Sequence, residues 1–175
     1  ELNAQWDAIA TEAAAAYEHF GSEHGVQPGA DVIDEVPEIV EGKTTTAVVK
    51  VRVNQARFRR AVLASYNGRC CISGLAVPRL LIASHIVPWS EDHQNRLNPR
   101  NGLCLSALHD RAYDQGLITV LPDFTIRVST DLRSTEADDF ARRAIAVFDG
   151  RSIQLPERFK PDEAFLTSHA QRFGF

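Results

Sequence analysis

Leu2, Trp6, Ile9, Ala13, Tyr17 and Phe20 recur at spacings of three and four, which predicts an amphipathic helix stopped by Gly21. Residues 31–43 are acidic and lack periodicity, so they read as a linker. Val49, Val51 and Val53 then alternate with Lys50, Arg52 and Asn54, the pattern of a strand with one basic face. Phe58, Val62 and Tyr66 change to helical spacing, and Asn67-Gly68 supplies the terminator. Residues 80–87 predict a buried strand closed by Pro88, followed by a polar loop holding Asn95, Asn98, Pro99, Asn101 and Gly102. Leu103 to Leu105 is short and apolar. Ser106 is placed to cap a brief helix through Asp114, with Gly116 just beyond it.

Leu117–Leu121 and Thr125–Val128 flank Pro122-Asp123 as the arms of a hairpin. Ser134 or Thr135 opens a predicted helix to Phe148, in which Phe140, Ala144 and Val147 share a face and Gly150 is the stop. Pro156 and Pro161 precede a last helix from Ala164 to Phe173. The expectation is an α+β fold divided into residues 1–46, a helix and linker, and residues 47–175, a domain whose polar chemistry lies between positions 84 and 114.

Composition narrows the class. The 175 residues suffice for one domain and an appendage, and 44% apolar with 24% charged residues argues against disorder. The longest stretch without a charged side chain, Leu80–Ser90, falls well short of the ~20 residues of a membrane-spanning helix. Cys70, Cys71 and Cys104, odd in number and two of them adjacent, do not form a disulfide framework, so a reducing, cytoplasmic setting is expected. The chain has no Met and opens on Glu1, from which a piece of a longer protein is expected.

Charge is unevenly distributed. Residues 1–49 carry a balance of −9, residues 50–111 one of +7, and residues 112–175 one of −2. No acid occurs between Lys50 and Ser90. A basic middle in an acidic protein fits a polyanion-binding surface; the competing reading is a solvated face pairing with the acidic N-terminal third.

His85 ends the apolar run, Asn101 follows sixteen residues later, and His109 eight after that. Each alone is ordinary. Together, within Arg69-Cys70-Cys71-Ile72-Ser73-Gly74, Ala83-Ser84-His85-Ile86-Val87-Pro88-Trp89, Asn101-Gly102-Leu103 and Leu108-His109-Asp110 through Tyr113-Asp114-Gln115-Gly116-Leu117, they resemble the HNH nucleases, whose shared unit is the ββα-metal fold. Asn54 to Arg59 and Gly150 to Pro156 are similar to the branch found as nuclease modules of restriction enzymes.

The resemblance implies a ββα-metal core with flanking helices and a C-terminal hairpin and helix extension. It implies a metal-dependent endonuclease acting on DNA, double-stranded first, as the cleavage module of a restriction or defence protein. His85 would be the general base, Asn101 would hold the loop and orient it, and His109 would bind a single divalent ion. Mg²⁺ is the first expectation, with Mn²⁺, Co²⁺ or Ni²⁺ as alternatives. Many relatives carry an Asp before the base His, as a metal ligand; here Ser84 stands there, a poor ligand when neutral. Asp110 and Asp114 are further candidates, turned about 100° and 140° round the helix from His109, and His93 is another. The Cys-x-x-Cys pairs that hold zinc in many relatives are missing, so no structural zinc is expected. Arg57, Arg59, Arg60, Arg69, Arg79, Arg96 and Arg100 are candidates for phosphate contacts, while Trp89 and Tyr113 read as core. Base readout is expected from a domain outside this chain, and double-strand cutting would imply sequential nicks or a homodimer, with the first helix as its contact. The competing function is a DNA-binding module of the same fold whose catalytic site has decayed, which Ser84 favours.

Overall fold

A computed structural model of the chain describes residues 45–134 and 138–175. The predicted helix over residues 2–20, the acidic linker and the Thr135 cap lie outside them.

The first described element, α1 (Thr45–Ser65), runs without interruption through residues 49–53, so the strand expected there is a helix. No Gly or Pro interrupts Thr45–Tyr66, and each residue added to an existing helix gains a hydrogen bond for one residue ordered. The Val alternation loses to that propagation. Phe58, Val62, Leu63 and Tyr66 are buried on one side of α1, and the chain leaves it through Asn67 and Gly68, both at positive φ (52° and 59°).

Strands β1 (Leu81–His85) and β2 (Gly102–Ser106) pair antiparallel, with Leu81 opposite Ser106, Ser84 opposite Leu103 and His85 opposite Gly102. Helix α1 lies so close to β2 that a Cβ on Gly102 would fall 2.5 Å from Val62 Cγ2 and 2.9 Å from Phe58 Cζ. Gly102 is what permits this approach.

Ser106 leaves β2 and caps α2 (Ala107–Asp114), its Oγ accepting from the His109 N–H. Strand, strand and helix form a ββα unit. β3 (Ile118–Val120) and β4 (Ile126–Val128) make the predicted hairpin, and α5 (Glu163–Arg172) the predicted last helix, with Leu166 fully buried. The core is continuous from Phe58 and Val62 through Leu103, Leu105 and Tyr113 to Ile118, Ile126 and Leu166. The fold is mixed α+β.

Residues 130–148 depart from expectation. A short α3 (Thr130–Ser134) comes first; α4 (Asp139–Ala144), capped by Asp138, stops early and passes into a 3₁₀ turn over Ala146–Phe148. Phe140 and Val147, expected on one helical face, are 66% and 43% exposed, and Ile145 is buried. The reason is distant: His109 Nε2 donates to the Ala144 carbonyl at 2.9 Å, and Phe148 N–H turns to Ile145.

Candidate active site

The ββα unit gathers side chains from three places: the end of β1, the loop into β2, and one side of α2. His85, the last residue of β1, lies flat on Phe58, with ring centroids 3.8 Å apart and planes 11° from parallel. Trp89 meets it edge-on at 5.7 Å. The His85 Nε2–H donates to the Arg96 carbonyl at 3.0 Å. A carbonyl can only accept, so in the neutral ring the proton is on Nε2 and the lone pair on Nδ1. Burial lowers the pKa of His85 from its ordinary value, outweighing the Arg96 carbonyl and the negative Asp114, which act the other way. A neutral imidazole with an oriented Nδ1 lone pair can accept a proton near neutral pH.

Asn101 is buried and clasps the chain just past His85. Its Oδ1 accepts from the Val87 N–H at 2.8 Å, and its Nδ2 donates to the Val87 carbonyl at 3.1 Å. Its own carbonyl accepts from the Ile86 N–H. The Asn101 side chain thus bonds both polar groups of the Val87 backbone and makes no direct bond to the imidazole.

Asp110 and Asp114 stand four residues apart on α2, about 40° apart round the helix, and so share a face. Burial raises the pKa of both carboxyls. Asp114 raises Asp110 further, with Ser84 and Arg111 opposing; Arg111 and His85 oppose the shift of Asp114. Ser84 Oγ is buried and makes no regular hydrogen bond, yet it sits near enough to Asp110 to favour the ionised carboxyl. Two destabilised carboxylates and an orphaned hydroxyl are oxygen donors suited to a hard divalent cation. Among the described residues no three His, Cys, Asp or Glu side chains converge as a metal site.

His109, expected to hold metal, is buried at 3% exposure with both ring nitrogens engaged. Nε2 bonds Ala144; Nδ1 lies 2.9 Å from Ser106 Oγ and 3.5 Å from Cys70 Sγ. It ties the 70–74 turn, the start of α2 and the end of α4 together. Cys70 is likewise more than a small apolar residue. Burial opposes its ionisation, but its hydrogen bonds with His109, Ser73 and the Ile72 backbone lower its pKa to about 6. Cys71 and Cys104 are buried, and burial pushes the Cys104 thiol up to about 12.

The arginines divide. Arg59 donates to the Leu81 carbonyl at 2.9 Å, Arg96 donates Nε–H to the Trp89 carbonyl and covers its ring at 5.0 Å, and Arg100 pairs with Asp162 at 3.5 Å. These bonds give them structural duties that charge counting did not reveal. Arg57, Arg69 and Arg79 are exposed. His93 is exposed in the loop. Phe58 and the Arg96 carbonyl are the parts of the site that sequence reasoning missed; helical periodicity marked Phe58 as core, but nothing local shows which ring it supports.

Residues 70–121 match the model of a family described as HNH endonuclease. The matched stretch contains both strands of the ββα unit, the intervening loop and α2. No curated protein matches the chain.

Proposed function

We propose that this HNH segment is a metal-dependent endonuclease hydrolysing phosphodiester bonds in DNA, with His85 as general base. The observation that carries the reading is the His85–Arg96 hydrogen bond: it commits Nε2 and leaves Nδ1 to take a proton from water, on the strand that also bears Ser84. Asp110 and Asp114, with the Ser84 hydroxyl, would hold the ion. Such an ion, when bound, neutralises the scissile phosphate and stabilises the leaving oxygen. Phe58 and Trp89 restrict the tilt of the imidazole, and Asn101 fixes the backbone from which it projects.

An all-oxygen donor set favours Mg²⁺ and Mn²⁺ over the imidazole-preferring Co²⁺ and Ni²⁺. Arg57, Arg60, Arg69 and Arg79 would supply phosphate contacts, which carry affinity but no sequence information. A single site cuts one strand, so double-strand cleavage calls for a dimer or two sequential nicks. With base readout supplied by another domain, the domain over residues 47–175 would be the cleavage module of a restriction or defence protein. Three free thiols fit a reducing compartment, and among the described residues no helix is long and apolar enough to cross a membrane.

The second reading, a decayed DNA-binding module, draws on the lack of a third metal-binding side chain of the usual types among the described residues. Nicking of supercoiled plasmid separates the two. Mg²⁺- or Mn²⁺-dependent nicking that EDTA and His85→Ala abolish supports the nuclease; binding without nicking under every ion supports the decayed module.

A further inference from the structure

Between His85 and β2, Asp92, Asn95, Asn98 and Asn101 recur at every third position, and their side chains are linked in series. Asp92 Oδ1 accepts the N–H groups of Gln94 and Asn95, each at 3.0 Å, and its Oδ2 accepts from Asn95 Nδ2 at 2.6 Å. Asn95 Oδ1 accepts from Asn98 Nδ2 at 3.0 Å, and Asn98 Oδ1 accepts the Arg100 N–H at 3.0 Å. Asn101 Nδ2 closes the series on the Asn95 carbonyl at 3.4 Å. Asn95 is thus held by its side-chain oxygen, its side-chain nitrogen, its N–H and its carbonyl.

The residue after it is Arg96, whose carbonyl holds His85 Nε2. Every restraint on Asn95 is therefore a restraint on the backbone immediately before the Arg96–Leu97 peptide, whose carbonyl is the acceptor for the base. Asp92 is the charged member of the series and supplies two of those restraints. Its hydrogen bond from Asn95, then those of the Asn95 and Gln94 backbone, lower its pKa, with His93 adding to the effect and desolvation opposing it.

We propose that Asp92 is a positioning residue for the reaction, its carboxylate acting through Asn95 to keep the Arg96 carbonyl on Nε2 of His85. The proposal rests on the reading of His85 as the base. Without the acceptor at Nε2 the ring can turn, and the proton is no longer confined to Nε2, so part of the population loses the Nδ1 lone pair.

Asp92→Asn is the discriminating variant. Its amide oxygen can still accept the two backbone N–H groups, while its NH₂ would face the NH₂ of Asn95 and break the side-chain link. The experiment compares wild type, Asp92→Asn and His85→Ala for plasmid nicking at saturating Mg²⁺. It also records thermal unfolding and the ¹⁵N shifts of the His85 ring in the first two. The expected result is an Asp92→Asn protein of wild-type melting temperature that nicks about tenfold or more slowly. Its His85 nitrogens should show the proton shared between Nδ1 and Nε2, where wild type shows it on Nε2. Wild-type rate with unchanged ring shifts overturns the proposal, and so does a slower rate with unchanged shifts, since Asp92 would then act elsewhere. If His85→Ala nicks like wild type, the base reading fails by itself, and the ring shifts still decide whether Asp92 governs His85.

Discussion

Phe58 and His85 are stacked, one from the helix that precedes the ββα unit and one from its first strand, and the close approach of that helix depends on Gly102. The base candidate therefore rests on the hydrophobic core rather than on a polar pocket.

Gly102→Ala should disturb both. Its Cβ would crowd Val62 and Phe58, an overpacking expected to cost about 1–3 kcal/mol in urea unfolding. Phe58→Ala should cost about 3–5 kcal/mol by leaving a cavity under the imidazole. Phe58→Leu, which refills most of that volume without a flat ring, should recover much of the stability but less of the nicking rate.

The two faces of α2 should separate in a metal-binding experiment. Asp110→Asn and Asp114→Asn are each expected to weaken Mn²⁺ binding about tenfold or more, measured by titration calorimetry, with little loss of stability. His109→Gln should do the reverse: near-native Mn²⁺ affinity, with a loss of about 1–3 kcal/mol from the unpaired Ala144 carbonyl and Ser106 hydroxyl.

Activity should decline in acid with a limb set by His85. Its pKa lies below the ordinary 6.5, so the neutral base predominates down through that value. The acid limb at saturating metal should therefore lie at lower pH than an ordinary histidine would set. At limiting metal the decline should be steeper, because protons then also compete for the Asp110 and Asp114 carboxylates, whose pKa values burial raises. Rate–pH profiles at two Mg²⁺ concentrations check both statements.

Stability should carry a separate pH dependence from His169. Its ring stacks on Tyr113 at 3.6 Å and contacts Thr119 through Nδ1, and burial holds its pKa down to about 4. The unfolded chain takes up the proton first, near pH 6.5. Stability contributed by the neutral ring is therefore complete above that pH and is lost as pH falls toward 4, by about 3 kcal/mol. Urea unfolding of wild type and His169→Gln at pH 7 and pH 4.5 should show the smaller change in the variant.

Much of the site was legible because it is local. The Ser106 cap, the Gly116 stop, an apolar strand within residues 80–87 and the Asn-Gly before β2 each follow from residue chemistry within a few positions. The errors share a different origin. Val49, Val51 and Val53 alternate as a strand does, but they belong to an unbroken helix. The helix expected to reach Phe148 ends at Ala144 because a histidine 35 positions earlier takes its carbonyl. The same bond occupies one nitrogen of His109, and no spacing rule reports which nitrogens of a ring already have partners. Asp114 looked remote because it was measured from His109; from Asp110 it is a neighbour on the same face.

The central claim, that His85 is the proton acceptor, is tested most directly by chemical rescue. His85→Gly leaves a space above Phe58 into which imidazole can diffuse. The account predicts that this variant, with Mg²⁺ saturating, nicks plasmid negligibly and regains activity in proportion to added imidazole. Wild-type nicking by His85→Gly without imidazole would contradict it.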